Sequence, residues 1–173
     1  MKLEDLLVRL RTGAVKPPQP TPLPAPPDVD LCEVEAGADL PALFAETAEA
    51  AGCRVWRAGG QTWVDTVRQI LRDLAAKSVL IEAQPGTALT PERYRVLTAG
   101  VAGDGIRVLT APDDETLFSV DAAITGVRSA IAETGTLVCV SGESSARGAS
   151  LIPPVHIAVV ENTQILADLF DFF

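Results

Sequence analysis

Apolar positions recur along this chain in two rhythms, one of helices and one of strands. Leu3, Leu6, Leu7 and Leu10 stand at helical spacing between Lys2 and Arg11, which predicts a short amphipathic helix. The segment Lys16 to Pro27, KPPQPTPLPAPP, is too proline-dense for helix or sheet and predicts an extended polyproline arm. Such an arm is either a passive tether or a strap packed on a partner subunit. Beyond it, strand and helix patterns alternate. Leu31 to Val34 is a strand candidate. Asp39 can cap a helix with the apolar face Leu40, Leu43, Phe44 and Ala48; Pro41 is tolerable in its first turn and Gly52 ends it. Arg54 to Trp56 reads as strand. Trp63, Val64, Val67, Ile70, Leu71 and Leu74 then form a helix stripe. Ser78 to Glu82 is strand, Thr90-Pro91-Glu92 starts a helix and Gly100 is a stop for it. Strands are expected at Ile106 to Leu109, Asp121 to Ile124, Thr136 to Val140 and His156 to Val160. Short helices are expected over Val127 to Ala132 and from Thr163 onward.

This alternation predicts a layered α/β fold with a mainly parallel sheet flanked by helices over residues 28–173, preceded by a helix and proline-rich arm over residues 1–27. In open α/β sheets, ligands sit beyond the carboxyl ends of strands, which directs attention to the loops after Leu109, Ile124 and Val140.

Composition narrows the function. A chain of 173 residues, 47% hydrophobic and 21% charged, is long enough for one domain with a real core. Its 23 acidic residues against 14 basic ones give a net charge of −9, which repels phosphate backbones and argues against nucleic acid as a partner. Cys32, Cys53 and Cys139 are scattered in apolar runs without a C-x-x-C. That usage fits a reducing cytoplasm and, with a single histidine, offers no zinc or iron–sulfur site of its own, so no cofactor is expected. The opening MKLEDLLVRLRTG lacks the apolar stretch of a signal peptide, and no run is long enough to span a membrane.

Familiar chemistries then fall away. Gly103-Asp104-Gly105 precedes a strand instead of linking strand to helix, so it is no dinucleotide fingerprint, and no P-loop occurs. Gly142-Glu143-Ser144-Ser145-Ala146 approaches a nucleophile elbow but ends in alanine, and no acid lies between Ser144 and His156. Three residues keep two readings each. His156, after Pro153-Pro154, is a structural histidine at a strand mouth or a donor facing a ligand. Glu133 is a carboxylate satisfied by backbone N–H groups or Arg128, or a ligand-facing, even nucleophilic, group. Arg147, in a loop of small residues, is a solvated charge or the cation for a carboxylate or phosphate.

The run DAAITGVRSAIAETGTLV (Asp121 to Val138), then Arg147, then SLIPPVHIAVV (Ser150 to Val160), resembles the LUD domain of the lactate-utilisation protein C family, which shows an Asp, Ile-Thr-Gly, Ala-Glu-Thr-Gly-Thr, an Arg and Leu-Leu-Pro-x-x-His in this order. The resemblance implies a fold akin to the NagB/RpiA/CoA-transferase superfamily. It implies an accessory role beside iron–sulfur proteins that oxidise L-lactate to pyruvate, binding a small anion or the partner subunits. It also implies a pocket of Asp121, Thr125, Gly126, Glu133, Thr134, Gly135, Thr136, Arg147 and His156. The alternative is a CoA-transferase-like or ligase-like enzyme with Glu133 as the acyl acceptor. The resemblance leaves a homo-oligomer open. Family members continue into Gly-Pro-Ser, Asp-Ile-Glu and His-Gly-Pro motifs, whereas this chain ends on Asp171-Phe172-Phe173 with an apolar face, so a further segment is expected after it.

Overall fold

Residues 34–60, 62–110, 114–140 and 147–172 are described by the computed structural model. The expected N-terminal helix, the proline-rich arm and positions 31–33 of the first strand candidate lie outside the described residues. Two helices lead into the first strand: α1 (Leu40–Ala50) and α2 (Trp63–Asp73). Then come β1 (Ser78–Glu82), α3 (Pro91–Gly103), β2 (Arg107–Leu109), α4 (Asp114–Ser119) and β3 (Ala122–Gly126). A hairpin of β4 (Ser129–Ile131) and β5 (Thr136–Val138) follows, then β6 (His156–Val159) and β7 (Ile165–Leu166). Short 3-10 turns occupy Arg147–Ser150, Asn162–Gln164 and Phe170–Phe172.

The main sheet has the order β2-β1-β3-β6 and all its neighbours are parallel. This is the layered α/β arrangement expected of the alternating pattern. Parallel strands buried on both faces should be apolar throughout, and β1 and β3 are buried at every position. One face carries Val79, Ile81, Ala122 and Ile124 against Val67 and Leu71 of α2 and Leu97 and Val101 of α3. The other carries Leu80 and Ala123 against Leu117, Val120 and Ala149. Each fully buried Leu or Val contributes about 1.5–3 kcal/mol. A second sheet, β5-β4-β7, packs Ala130 and Ala132 under Phe44 and Ala48 of α1.

Local signals explain where the helices start and end. Asp39 Oδ1 accepts from Ala42 N at 3.1 Å and caps α1, as its sequence predicts. Thr90 Oγ1 accepts from Arg93 N at 3.4 Å at the head of α3. Gly100 does not stop α3; a Cβ there would stand 3.2 Å from Val64 Cγ1 and 3.3 Å from Arg68 Cδ, so the glycine lets α2 and α3 approach. The helix ends instead at Asp104, which Arg68 grips through Nε at 2.8 Å and Nη2 at 2.5 Å, with Arg72 adding a bond of 3.1 Å. The Arg68 hydrogen bonds hold the Asp104 carboxyl below its ordinary range.

Three expectations are corrected. Val127 to Ala132 is not a helix: Ser129–Ile131 is β4, paired on one side with β5 and on the other with β7. The segment from Thr163 is not a helix either. Gln164 turns back to bond Glu161 N at 3.0 Å, Ile165–Leu166 joins the second sheet, and Asp168 Oδ1 accepts from Phe170 N and Asp171 N. Side-chain bonds of this kind compete with helix formation. Arg54 to Trp56 lies in no strand, and α4 adds a helix that the pattern did not announce.

The turn between β4 and β5 depends on one glycine. Gly135 has φ +68°, and a Cβ there would lie 2.5 Å from Ala48 N and 2.6 Å from Ala48 Cα. Gly135→Ala should cost at least about 1–2 kcal/mol through the left-handed backbone alone. It should cost more through overlap with α1. Gly37, at φ +87° with nothing within 4 Å of its Cβ position, supplies the comparison. In urea unfolding Gly135→Ala should lose clearly more stability than Gly37→Ala; equal losses would contradict the packing.

Candidate functional site

The carboxyl edge of the main sheet is where its faces turn polar. Glu82 ends β1 and pairs in register with Thr125 of β3, so both side chains continue the face that carries Leu80 and Ala123. His156 opens β6 opposite Ala123 on that same face. Its ring reaches along the strands, and Nε2 shares a hydrogen bond with Thr125 Oγ1 at 2.9 Å. Thr125 is 2% exposed and Glu82 4% exposed, while His156 is half-buried. Burial holds the His156 imidazole below its ordinary value near 6.5, which favours the neutral ring at pH 7.

A small cleft opens over this edge, lined by Glu82, Gln84, Thr125, Cys139, Arg147 and Ser150. It encloses about 30 Å³ and opens to solvent. Arg147 enters at the head of its 3-10 turn and is exposed, and its carbonyl accepts from Ser150 Oγ at 3.2 Å. Among the described residues no carboxylate forms an ion pair with Arg147. Gly126 sits just beyond Thr125; a Cβ there would fall 2.7 Å from Thr87 Cβ and 2.9 Å from Leu89 N, so only glycine lets the loop before α3 close over the strand end.

The residues expected to form one pocket therefore separate into three places. Thr125 and Arg147 line the cleft, His156 adjoins it through Thr125, and Gly126 shapes its rim. Asp121 sits at the opposite, amino edge of the sheet. There it accepts from Lys77 N and Ser78 N at 2.8 Å and from Ser78 Oγ at 2.9 Å, which ties the starts of β1 and β3. Those bonds, the Lys77 amide first, hold the Asp121 carboxyl below its ordinary range. Glu133, Thr134 and Gly135 lie in the β4–β5 turn and Thr136 opens β5. The register Ser129↔Val138 and Ile131↔Thr136 puts that turn at the end of the hairpin away from Cys139. Glu133 N donates to Ala167 O at 3.0 Å, Thr134 Oγ1 donates to Thr136 Oγ1 at 2.8 Å, and Thr47 Oγ1 of α1 donates to Ala132 O at 2.8 Å.

Glu82, Gln84 and Cys139 were missed by sequence reasoning. A signal for Glu82 existed: a lone acid closing the otherwise apolar run Val79-Leu80-Ile81, at the carboxyl end where ligands gather. Among the described residues no three His, Cys, Asp or Glu side chains converge to hold a metal, and no helix is long and apolar enough to cross a membrane.

A family model for the LUD domain matches residues 42–173, a span that contains every element and cleft residue above apart from the first two residues of α1. The chain belongs to the LUD domain family. A similar curated protein is the uncharacterized protein NMB1437 of Neisseria meningitidis serogroup B (strain ATCC BAA-335 / MC58), 26% identical over 109 residues. The alignment covers 60% of this chain and 44% of that protein, so the LUD domain described here matches under half the length of that relative. No solved structure matches the chain.

The depressed His156 pKa fixes a pH dependence of this LUD domain. The unfolded chain takes up the proton near pH 6.5 and the folded one only at lower pH, so this contribution to stability is complete above about 6.5 and is lost as pH falls through the folded value. Asp104 and Asp121 add their own losses only below 3.8. Thermal unfolding of the parent should therefore weaken between pH 7 and pH 5, and His156→Gln should flatten that interval. An unchanged slope in the variant would contradict the burial of the ring.

Proposed function

We propose that this LUD domain serves in L-lactate utilisation in the cytoplasm, beside iron–sulfur partner proteins, as an accessory subunit whose cleft binds a small anion through Arg147. The observation that carries the reading is the placement of Arg147 over the carboxyl edge of a parallel sheet, among Gln84, Thr125 and Ser150, with no carboxylate paired to it among the described residues. A guanidinium presents a fork of donors suited to a carboxylate, and hydroxyls and an amide beside it complete the shell. In a chain of net charge −9 an anion needs such a local cation. Kinship with the NagB/RpiA/CoA-transferase superfamily belongs to the same proposal and is supported by the parallel, helix-flanked sheet. The reading does not draw on Glu133, whose turn packs on α1.

Arg147→Ala tests it. Without ligand the change should alter stability by no more than about 0.5 kcal/mol, as for a surface position. With L-lactate, pyruvate, phosphate and sulfate at millimolar concentration, the parent should show thermal stabilisation by at least one anion. The variant should bind that anion weaker by about 1.5–3 kcal/mol, the range for charge-assisted bonds. In the source organism the same substitution should slow growth on L-lactate. Equal responses of variant and parent to the whole panel would remove the anion cleft.

A further inference from the structure

The cleft holds a residue that anion binding alone gives no task. Glu82 is 4% exposed, ends β1, and lines the same cleft as Arg147. A carboxylate so deep is costly to keep unless hydrogen-bond donors meet it. Yet a site for an anion would gain from an apolar or cationic residue at that position, because a second negative charge repels the ligand. Glu82 also stands in register beside Thr125, whose hydroxyl is shared with His156, so a carboxylate, a hydroxyl and an imidazole stand on three adjacent strands, the first two lining the cleft and the third adjoining it.

We propose that Glu82 makes the cleft selective for small molecules that carry a hydrogen-bond donor, a hydroxyl or an ammonium, beside an anionic group. The proposal rests on the Arg147 reading above. Arg147 donates and does not accept, whereas an ionised carboxylate accepts and does not donate. A ligand spanning the two must turn acceptors toward Arg147 and a donor toward Glu82. A 2-hydroxy or 2-amino monocarboxylate carries acceptors and a donor within a few bonds of each other. A 2-oxo acid or sulfate offers acceptors only, and leaves Glu82 facing a lone pair. The carboxylate has about four acceptor positions, so a bond that Glu82 already makes within the fold leaves others for a ligand. Sites built to meet a donor reject analogues that lack it by about 10⁴–10⁵-fold; at an open cleft with neighbouring polar groups, discrimination of about tenfold or more is expected.

The test is a set of calorimetric titrations of the parent, Glu82→Gln and Glu82→Asp with L-lactate, pyruvate, L-alanine and sulfate. The parent should bind L-lactate or L-alanine at least about tenfold tighter than pyruvate or sulfate. Glu82→Gln keeps the shape but offers a donor as well as an acceptor, and should bring the ratio close to one while gaining affinity for pyruvate or sulfate. Glu82→Asp keeps the acceptor and should keep a preference in the same direction, which serves if the Gln variant does not fold. A parent that binds all four ligands alike, or a folded Glu82→Gln that keeps the parental ratio, overturns the proposal. If those equal affinities still fall in Arg147→Ala, the anion cleft stands and only the role of Glu82 fails. If the parent binds none of the four, both fail together.

Discussion

Covering both faces of a narrow parallel sheet with helices and turns is the constraint on which the rest of this structure depends. β1 and β3 are buried at all ten of their positions, so their side chains have to be apolar or small wherever a layer presses on them. Ala122 and Ala123 give little bulk, and Gly126 gives none, which is why the loop of Thr87 to Leu89 can lie against the strand end. Polar groups survive only at the two edges. At the amino edge Asp121 is consumed by the backbone of Lys77 and Ser78. At the carboxyl edge Glu82 and Thr125 meet the cleft. The two edges thus differ, one tied shut by Asp121 and one opening into the cleft.

The second sheet does different work. Its hairpin begins beside Gly126 and returns to Cys139 at the cleft, so it delivers one wall of the site while its turn is fixed on α1 by Gly135 and Thr47. The Glu133 to Thr136 segment is therefore explained by its packing first. Its glycine is needed because an α1 backbone lies where a side chain would go. The loop that carries Arg147 gains its position from Ala149 and from Gly148, where a Cβ would meet Leu117 Cδ1 at 2.7 Å.

Legibility in the sequence followed the physics of each segment. Val79-Leu80-Ile81 reads as a buried strand because an apolar run this short, bounded by Ser78 and Glu82, has strand length and not helix length. α2 reads as a helix because its stripe is long. β4 did not, because Val127, Ala130 and Ile131 also stand at helical spacing, and the partners that decide the matter, Leu137 and Ile165, are distant or come later in the chain. Ile165, Leu166, Leu169 and Phe170 mimic a helix stripe in the same way, and the Gln164 and Asp168 side chains that break it act through bonds no pattern displays. At the cleft, Arg147 and His156 stood out by residue type and position in the chain, and Thr125 through the family resemblance; the structure puts Thr125 beside both. Asp121 was misplaced beside them because its tie to Lys77 and Ser78 crosses more than forty residues of sequence. Glu82 was missed because one charge closing a strand reads as a boundary.

The central claim is that Arg147, Thr125 and His156 belong to one anion-binding site at the carboxyl edge of the main sheet. His156 is the chain's single histidine, so its imidazole nitrogens give isolated signals in untagged protein labelled with ¹⁵N-histidine. Titration with L-lactate, followed by nitrogen-detected NMR, reads the site directly through the 2.9 Å bond to Thr125. The account predicts that the Nε2 resonance moves saturably in the parent and stays still in Arg147→Ala. Binding that leaves the imidazole unmoved, or that shifts it equally in both proteins, would contradict it.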